Sequence, residues 1–263
     1  MSSALRGAKE RTMNLYIDIE TIPAQRPDIL AEIREKATQE LEAKIADVRA
    51  PSNYGAEAAD KWMQTKGAEA IQSLRDGVDA EIDEQYRRTA LDGAFGQVCV
   101  IGWAVDDEPA RTVQGMNEAS VLYGFSKALK IGASSLFNTC VIGHNVAAFD
   151  LRFLVQRHIV NGIKPHAVIA RAAQAKPWES EKVFDTMVQW GGPSARPGGS
   201  LDKLCKALGI PSPKTDITGA TVWDAVKAGR LDDVARYCAR DVEATREIHK
   251  RITFQEAKSE IAA

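Results

Sequence analysis

Four acidic residues spread over more than two hundred positions limit what this chain can fold into, because each sits where its carboxylate is turned toward the interior. They are Asp18 and Glu20 in LYIDIET, Asp150 in GHNVAAFD, and Asp241 in YCARD, a segment that also carries Tyr237. The run from Leu15 to Glu20 is rich in strand-favouring residues, and side chains two apart on a strand share a face. Asp18 and Glu20 therefore point the same way. The stretch from Leu231 to Arg251 reads as a helix, with Val234, Tyr237, Asp241, Thr245, Ile248 and Ile252 recurring at three and four, the stripe that faces inward. An acid on that stripe is costly to desolvate unless a cation or a hydrogen-bond donor meets it. Asp150 follows Val141, Ile142, Gly143 and a polar turn, and leads into Leu151, Leu154, Val155 and His158. That places it near the start of the next helix, so a strand end and a helix start become neighbouring rims of one sheet.

Each acid alone has a plainer reading. A D-x-E on a strand is frequent by chance, Asp150 fits a helix-start acid offsetting the macrodipole, and Tyr237 with Asp241 fits an i, i+4 hydrogen-bonded pair. The set fits something else. Four oxygen ligands converging on one point suit a pair of hard divalent cations, and cations about 4 Å apart are a device for phosphoryl displacement.

The same segments carry a resemblance. YIDIET, HNVAAFD and YCARD resemble the three motifs of the DEDD 3′-to-5′ exonucleases of the ribonuclease H-like fold, in the branch with tyrosine rather than histidine in the third motif. His249 falls eight residues after Asp241, the wrong side for the histidine variant. The chain looks similar to the bacterial and phage proteins related to the proofreading exonuclease domain of family B DNA polymerases. FGQVCVIGWA, FDTMVQW and SLDKLCKALGIP read like that family's connecting strands and helices, and the resemblance spans about residues 13 to 255 with one long interruption.

The resemblance implies a division of labour. Asp18 would bridge two divalent cations, Mg²⁺ or Mn²⁺, with Glu20 and Asp241 completing the site that activates the attacking water and Asp150 supporting the second metal. Tyr237 would orient the water, since a phenol with a pKa near 10 is better suited to positioning than to proton removal. Thr21, Ile22 and Pro23 match the place where the family seats the terminal nucleotide, and Asn145 and Phe149 match positions lining the site. Pro23 also fits a strand end and Phe149 a core residue. The implied activity is 3′-5′ hydrolysis of phosphodiester bonds, releasing nucleoside 5′-monophosphates from the 3′ end of single-stranded or frayed DNA. A 3′-5′ exoribonuclease stays open, as does a catalytically silent nucleic-acid-binding scaffold, although such a scaffold is expected to have lost one of the acids. A dinucleotide-binding domain is disfavoured, because no strand leads into a G-x-G-x-x-G turn.

Composition is compatible with this. The chain has 263 residues, 44% hydrophobic and 27% charged, enough for one substantial core. No run of eighteen apolar residues suggests a membrane span. Residues 1–12 lack an apolar stretch and read as a disordered leader rather than a signal peptide. Cys99, Cys140, Cys205 and Cys238 are scattered without a C-x-x-C pair, which suggests buried, reduced thiols in a cytoplasmic protein and no zinc site. The net charge of −2 is uneven: residues 28–92 hold nine basic and fifteen acidic residues. Between Arg152 and Arg196 there are seven basic against three acidic, among them Lys164, Arg171 and Lys176, a phosphate-contacting rim or an ordinary solvated surface.

The expected architecture is α/β: a ribonuclease H-like mixed sheet flanked by helices, with an all-helical insertion at 28–92 between the first and second strands, and a tail at 256–263. Within 28–92, Ile29 to Val48 and Ile71 to Tyr86 read as amphipathic helices, broken at Pro51 and Ser52, with a short third around Ala56 to Thr65. Packing, a lid, an oligomer contact or a guide for duplex are all open roles for them. Val98 to Val105 and Arg111 to Met116 read as paired strands, Asn117 as a helix cap, Cys140 to Ile142 as a central strand, and Val183 as a short strand followed by three helices. Asp185 reads as a helix cap, and Gly209 and Gly229 as helix stops.

Overall fold

The computed structural model describes residues 13–132, 135–192 and 199–255. The leader at 1–12, the tail at 256–263 and most of the glycine-proline loop before Ser200 lie outside the described residues. Five strands, β1 (Met13–Ile22), β2 (Gln97–Val105), β3 (Arg111–Gln114), β4 (Thr139–Gly143) and β5 (Val183–Asp185), form one sheet in the order β3-β2-β1-β4-β5. Pairing is parallel between β1 and β4 and between β4 and β5, and antiparallel between β2 and β3. This is a mixed sheet flanked by helices, the α/β arrangement of the ribonuclease H-like fold. The strand expected at Cys140 to Ile142 is interior, but the middle of the sheet is β1.

β1 takes that place because it is apolar on one face and carries chemistry on the other. Leu15, Ile17 and Ile19 join the large core with Val141 of β4, beneath α4 (Glu118–Ala128), α5 (Asp150–Val160) and α6 (Ala167–Ala172). Tyr16 faces the opposite side, in a cluster with Ala104, Ile142 and Val242. Val242 belongs to α10 (Leu231–Ile252), the long helix across that face. Alternation along a strand then puts Asp18 and Glu20 on the α10 side with Tyr16. Asn117 caps α4 as expected, accepting from Ser120 N at 3.0 Å. Gly209 and Gly229 adopt φ of 68° and 74° at the ends of α8 (Leu201–Leu208) and α9 (Val222–Lys227), where a Cβ would be strained.

Residues 22–97 form a compact unit distinct from the one containing the rest of the chain. Within it, α1 (Pro27–Ala46) packs against α3 (Ala68–Arg88), with Lys44 paired to Glu81. Thr89 Oγ1 accepts from Ala24 N at 2.9 Å, and Tyr86 donates to Ala24 O at 3.0 Å. The short third helix expected near Ala56 is not separate. α2 (Ala56–Trp62) continues through a π turn at Met63–Gly67 into α3, and a one-turn bulge of this kind interrupts helix periodicity without ending the helix.

Two further differences concern short helices. The segment before β5, read as irregular, contains α6, and among the described residues four helices rather than three follow β5: α7 (Thr186–Gly191), α8, α9 and α10. α6 and α7 are six residues each, too short to show a periodic stripe. Among the described residues no helix is long and apolar enough to cross a membrane, and all four cysteines are buried and free of disulfides.

On the α10 side of the sheet, His249 is buried against Tyr16 and Phe184, its Nδ1 2.9 Å from the Tyr16 hydroxyl. Burial, helped by Lys250, lowers its pKa to about 4. A histidine held neutral in the folded state contributes stability that is whole above pH ~6.5 and is lost as pH falls toward ~4, up to about 3 kcal/mol. Urea unfolding at neutral and mildly acid pH is expected to show the parent losing about that much relative to His249→Phe. Parallel pH profiles for the two proteins would contradict it.

Candidate active site

Asp18, Glu20 and Asp241 come together on the α10 side of β1, and Asp150 reaches the same strand from the start of α5. Asp18, Glu20 and Cys238 present ligand atoms all within 4.8 Å of one another, in the one such group of acidic, cysteine or histidine side chains among the described residues. Asp241, one turn along α10 from Cys238, and Asp150, the first residue of α5, stand close enough to raise the pKa of Asp18 and of Glu20 by repulsion. Glu20, Asp150 and Asp241 are 6%, 4% and 7% exposed, and Asp18 is half-buried. Removal from water is the largest cause of the upward shift in all four, and repulsion from neighbouring carboxylates adds to it for Asp18, Glu20 and Asp150. Asp150 and Asp241 are each pushed up to about 7. Such a cluster is unfavourable by itself.

Its polar atoms are incompletely satisfied. Asp18 Oδ2 and Asp241 Oδ1 are buried without a hydrogen-bond partner, and an orphaned buried carboxylate oxygen signals a missing partner. The set fits a hard divalent cation, since the donors are carboxylate oxygens on three separate elements and the charge to be neutralised is large. Cys238 Sγ also lies in the group, but its hydrogen bond runs to Asp18 O at 3.5 Å, and burial holds the thiol well above its usual pKa.

Two local features hold the acids where they are. Asp150 Oδ1 accepts from Ile19 N at 3.0 Å, which ties α5 to the strand between Asp18 and Glu20. Gly102 on β2 lets α10 come down onto the sheet: a Cβ there would lie 2.8 Å from Cys238 Sγ and 3.2 Å from Val242. Tyr237 is buried, and its hydroxyl bears on Asp241 as a hydrogen-bond donor that draws that carboxyl's pKa down. Burial and the surrounding acids raise the phenol far above its ordinary value, so Tyr237 stays protonated.

The other expected site residues are placed less uniformly. Thr21 is half-buried, but Ile22 and Pro23 are buried, Ile22 completely, so neither offers an open apolar wedge in this structure. Phe149 is half-buried against Phe153 and the large core. Asn145 holds φ of 63° and donates its backbone N–H to Asp185 Oδ1 at 2.9 Å, a left-handed conformation that asparagine tolerates. Asp185 does more than the capping expected of it. Besides Met187 N and Val188 N at the start of α7, it accepts from Asn145 N and Ala147 N. It therefore shapes the loop that delivers Asp150, a role no local pattern around Asp185 encodes. Lys214 and Arg240 lie near enough to draw the pKa of Asp241 down, and neither was picked out from the sequence. Of the basic rim, Lys164 and Lys176 are exposed, whereas Arg157 is buried against Glu118 and Arg171 donates to Thr139 O and Phe137 O.

Among curated proteins none matches the chain. Among solved structures the chain is similar to the family B DNA polymerase from the hyperthermophilic archaeon Pyrobaculum calidifontis, at 13% identity and a TM-score of 0.47, over 95% of this chain and 25% of that one. The chain thus spans about a quarter of the polymerase's length, and so slight a likeness carries no weight for function. The family described as "Predicted 3'-5' exonuclease related to the exonuclease domain of PolB" matches residues 103–261, which include Asp150, Tyr237 and Asp241. With more than half of its length matched, the chain belongs to this family of predicted exonucleases related to the PolB exonuclease domain.

Proposed function

We propose that the protein is a metal-dependent 3′-5′ exonuclease that hydrolyses phosphodiester bonds at the 3′ end of single-stranded or frayed DNA and releases nucleoside 5′-monophosphates. One observation carries the reading: acids from β1, α5 and α10 crowd together with two buried oxygens, Asp18 Oδ2 and Asp241 Oδ1, that have no partner. A fold does not retain repelling, unsatisfied carboxylates in its interior for stability. Family membership supports the same chemistry.

Asp18, Glu20, Asp150 and Asp241 would hold two divalent cations, Mg²⁺ or Mn²⁺. When bound, such a pair acidifies a water and stabilises both the charge growing on the phosphate and the leaving 3′ oxygen. The protein's own part is positional. The Ile19 N–H keeps Asp150 turned toward β1, and Asp241 is presented by the same face of α10 as Tyr237. Tyr237, protonated throughout and donating to Asp241, would accept a hydrogen bond from the attacking water through its hydroxyl oxygen and so fix the direction of that water rather than take its proton. Thr21, Asn145 and Phe149 are the residues proposed to meet the terminal nucleotide; Ile22 and Pro23 would contribute only through movement of the strand end.

The test is strand shortening. Single-stranded DNA labelled at its 5′ end is expected to lose nucleotides from its 3′ end in Mg²⁺ or Mn²⁺ and not in EDTA, with matched RNA and blunt duplex alongside to define the substrate. Asp18→Ala should abolish it. A parent protein that shortens no strand with any divalent cation would end this reading.

A further inference from the structure

Cys238 stands apart from the other three buried cysteines because of what its sulfur faces. Sγ lies with a carboxylate oxygen of Asp18 and one of Glu20, all within 4.8 Å of one another. Neither Cys99, Cys140 nor Cys205 joins such a group among the described residues. The sulfur is also fixed in place. It sits against the bare backbone of Gly102, where an added Cβ would be 2.8 Å from it. Its hydrogen bond to Asp18 O, at 3.5 Å, is that of a weak donor. A second observation marks the spot as incomplete. Asp241 is 7% exposed, its Oδ1 is buried without a partner, and its charge is felt at both Cys238 and Asp18.

The donors suit one ion of a particular kind. Around zinc, sulfur at about 2.3 Å and oxygen at about 2.1 Å stand about 3.6 Å apart at the tetrahedral angle, so these three close on one ion through shifts of about 1 Å. Hard cations such as Mg²⁺ bind through oxygen and leave a thiol protonated, whereas Zn²⁺ accepts thiolate. As such an ion binds, the Cys238 S–H bond breaks, its proton passes to solvent, and the sulfur bonds to the ion with no change in oxidation state. With Asp241 Oδ1 as a fourth donor the shell is closed, and a closed tetrahedral shell has no position left for an attacking water.

We propose that Cys238 joins Asp18 and Glu20 in a second mode of metal binding, selective for thiophilic divalent cations such as Zn²⁺, which holds the centre inactive. Mg²⁺ and Mn²⁺ bind there through oxygen alone. The proposal rests on these acids being the metal centre of the proposed nuclease, and adds its inhibition by a cation of the other class.

Co²⁺, a spectroscopic stand-in for Zn²⁺, titrated into the full chain after EDTA treatment and dialysis, tests it. The parent is expected to develop a sulfur-to-Co²⁺ charge-transfer band in the near ultraviolet. Cys238→Ser and Cys238→Ala should lack it, whereas Cys99→Ser, whose parent sulfur donates to Glu20 O at 3.4 Å, should keep it. Calorimetry should show Zn²⁺ binding weakened in Cys238→Ser by at least about 100-fold, the upper end of what loss of an outer-shell partner costs. Mn²⁺ should raise the melting temperature of the parent and of Cys238→Ser alike, which reports a folded variant with its oxygen ligands in place. Zn²⁺ added to the parent in Mg²⁺ should stop strand shortening. Equal Zn²⁺ affinity in parent and variant, a band that persists in both Cys238 variants, or shortening that continues under saturating Zn²⁺ would overturn the proposal. If the parent shortens strands in Mg²⁺ and shows no sulfur band, the thiolate ligand falls and the nuclease stands. A Cys238-dependent band in a protein that shortens no strand with any divalent cation keeps the site and removes the nuclease.

Discussion

Asp241→Asn is expected to make the metal-free protein more stable while removing its nuclease activity. The parent carboxyl is 7% exposed, is crowded by Asp18 and Glu20, and has its pKa raised to about 7, chiefly by burial. At pH 8 in EDTA it is ionised and uncompensated except by Tyr237, Arg240 and Lys214. An asparagine of the same shape relieves this, and a raised pKa of that size corresponds to roughly 2 to 4 kcal/mol at pH 8. Added Mg²⁺ or Mn²⁺ should raise the melting temperature of the parent and do so less for the variant, because a cation that binds only the folded state stabilises it by mass action. Strand shortening should fall by about a thousand-fold or more, on the order of 4 kcal/mol of barrier. Calorimetry with and without the cation reads the first two, and a labelled strand the third. A variant that melts below its parent in EDTA would show that Asp241 is a structural acid and not one held against the cost of its burial.

Glu118→Ala is expected to destabilise the protein by about 3 to 5 kcal/mol, the cost of leaving one member of a buried ion pair alone. Glu118 and Arg157 are both buried, 2.7 Å apart between Oε2 and Nη2. The carboxylate also accepts from Val98 N at 2.7 Å and from Asn161 Nδ2 at 2.7 Å. One side chain in the first turn of α4 therefore joins the start of β2 to the far end of α5, the helix whose first residue is Asp150. Truncation leaves the guanidinium in a low-dielectric interior without its carboxylate. Glu118→Met combined with Arg157→Met should recover much of the loss, as apolar replacement of a whole buried pair often does. Urea denaturation midpoints measure both, and a Glu118→Ala protein within ~0.5 kcal/mol of the parent would refute the argument.

How much of this was legible in the sequence depended on whether a local pattern reported it. The alternation of Leu15, Ile17 and Ile19 against Asp18 and Glu20 gave β1 and the face its acids share, and the stripe from Val234 to Ile248 gave α10 with Tyr237 and Asp241 turned inward. Both are periodic signals over long elements. α6 and α7 offered no such signal, and the π turn at Met63–Gly67 hid the continuity of α2 with α3. Charge counting could not show that Arg157 is buried, because its partner Glu118 lies thirty-nine residues away. Nor could it show that Asp185 reaches back to the Asp150 loop, or that Gly102 is a glycine because Cys238 comes within a side chain's breadth of it. Those are tertiary facts, and only the assembled sheet and helix disclose them.

The placement of Asp18 and Glu20 on the same face of β1 as Tyr16 makes the whole centre a matter of parity. In a strand the sidedness of every residue is fixed by whether its number is odd or even relative to its neighbours. Loss of a single residue between Asn14 and Ile17 would exchange the two sets, carrying both carboxylates into the large apolar core and handing isoleucines to α10. The protein can vary what surrounds this strand, but not the count of residues within it.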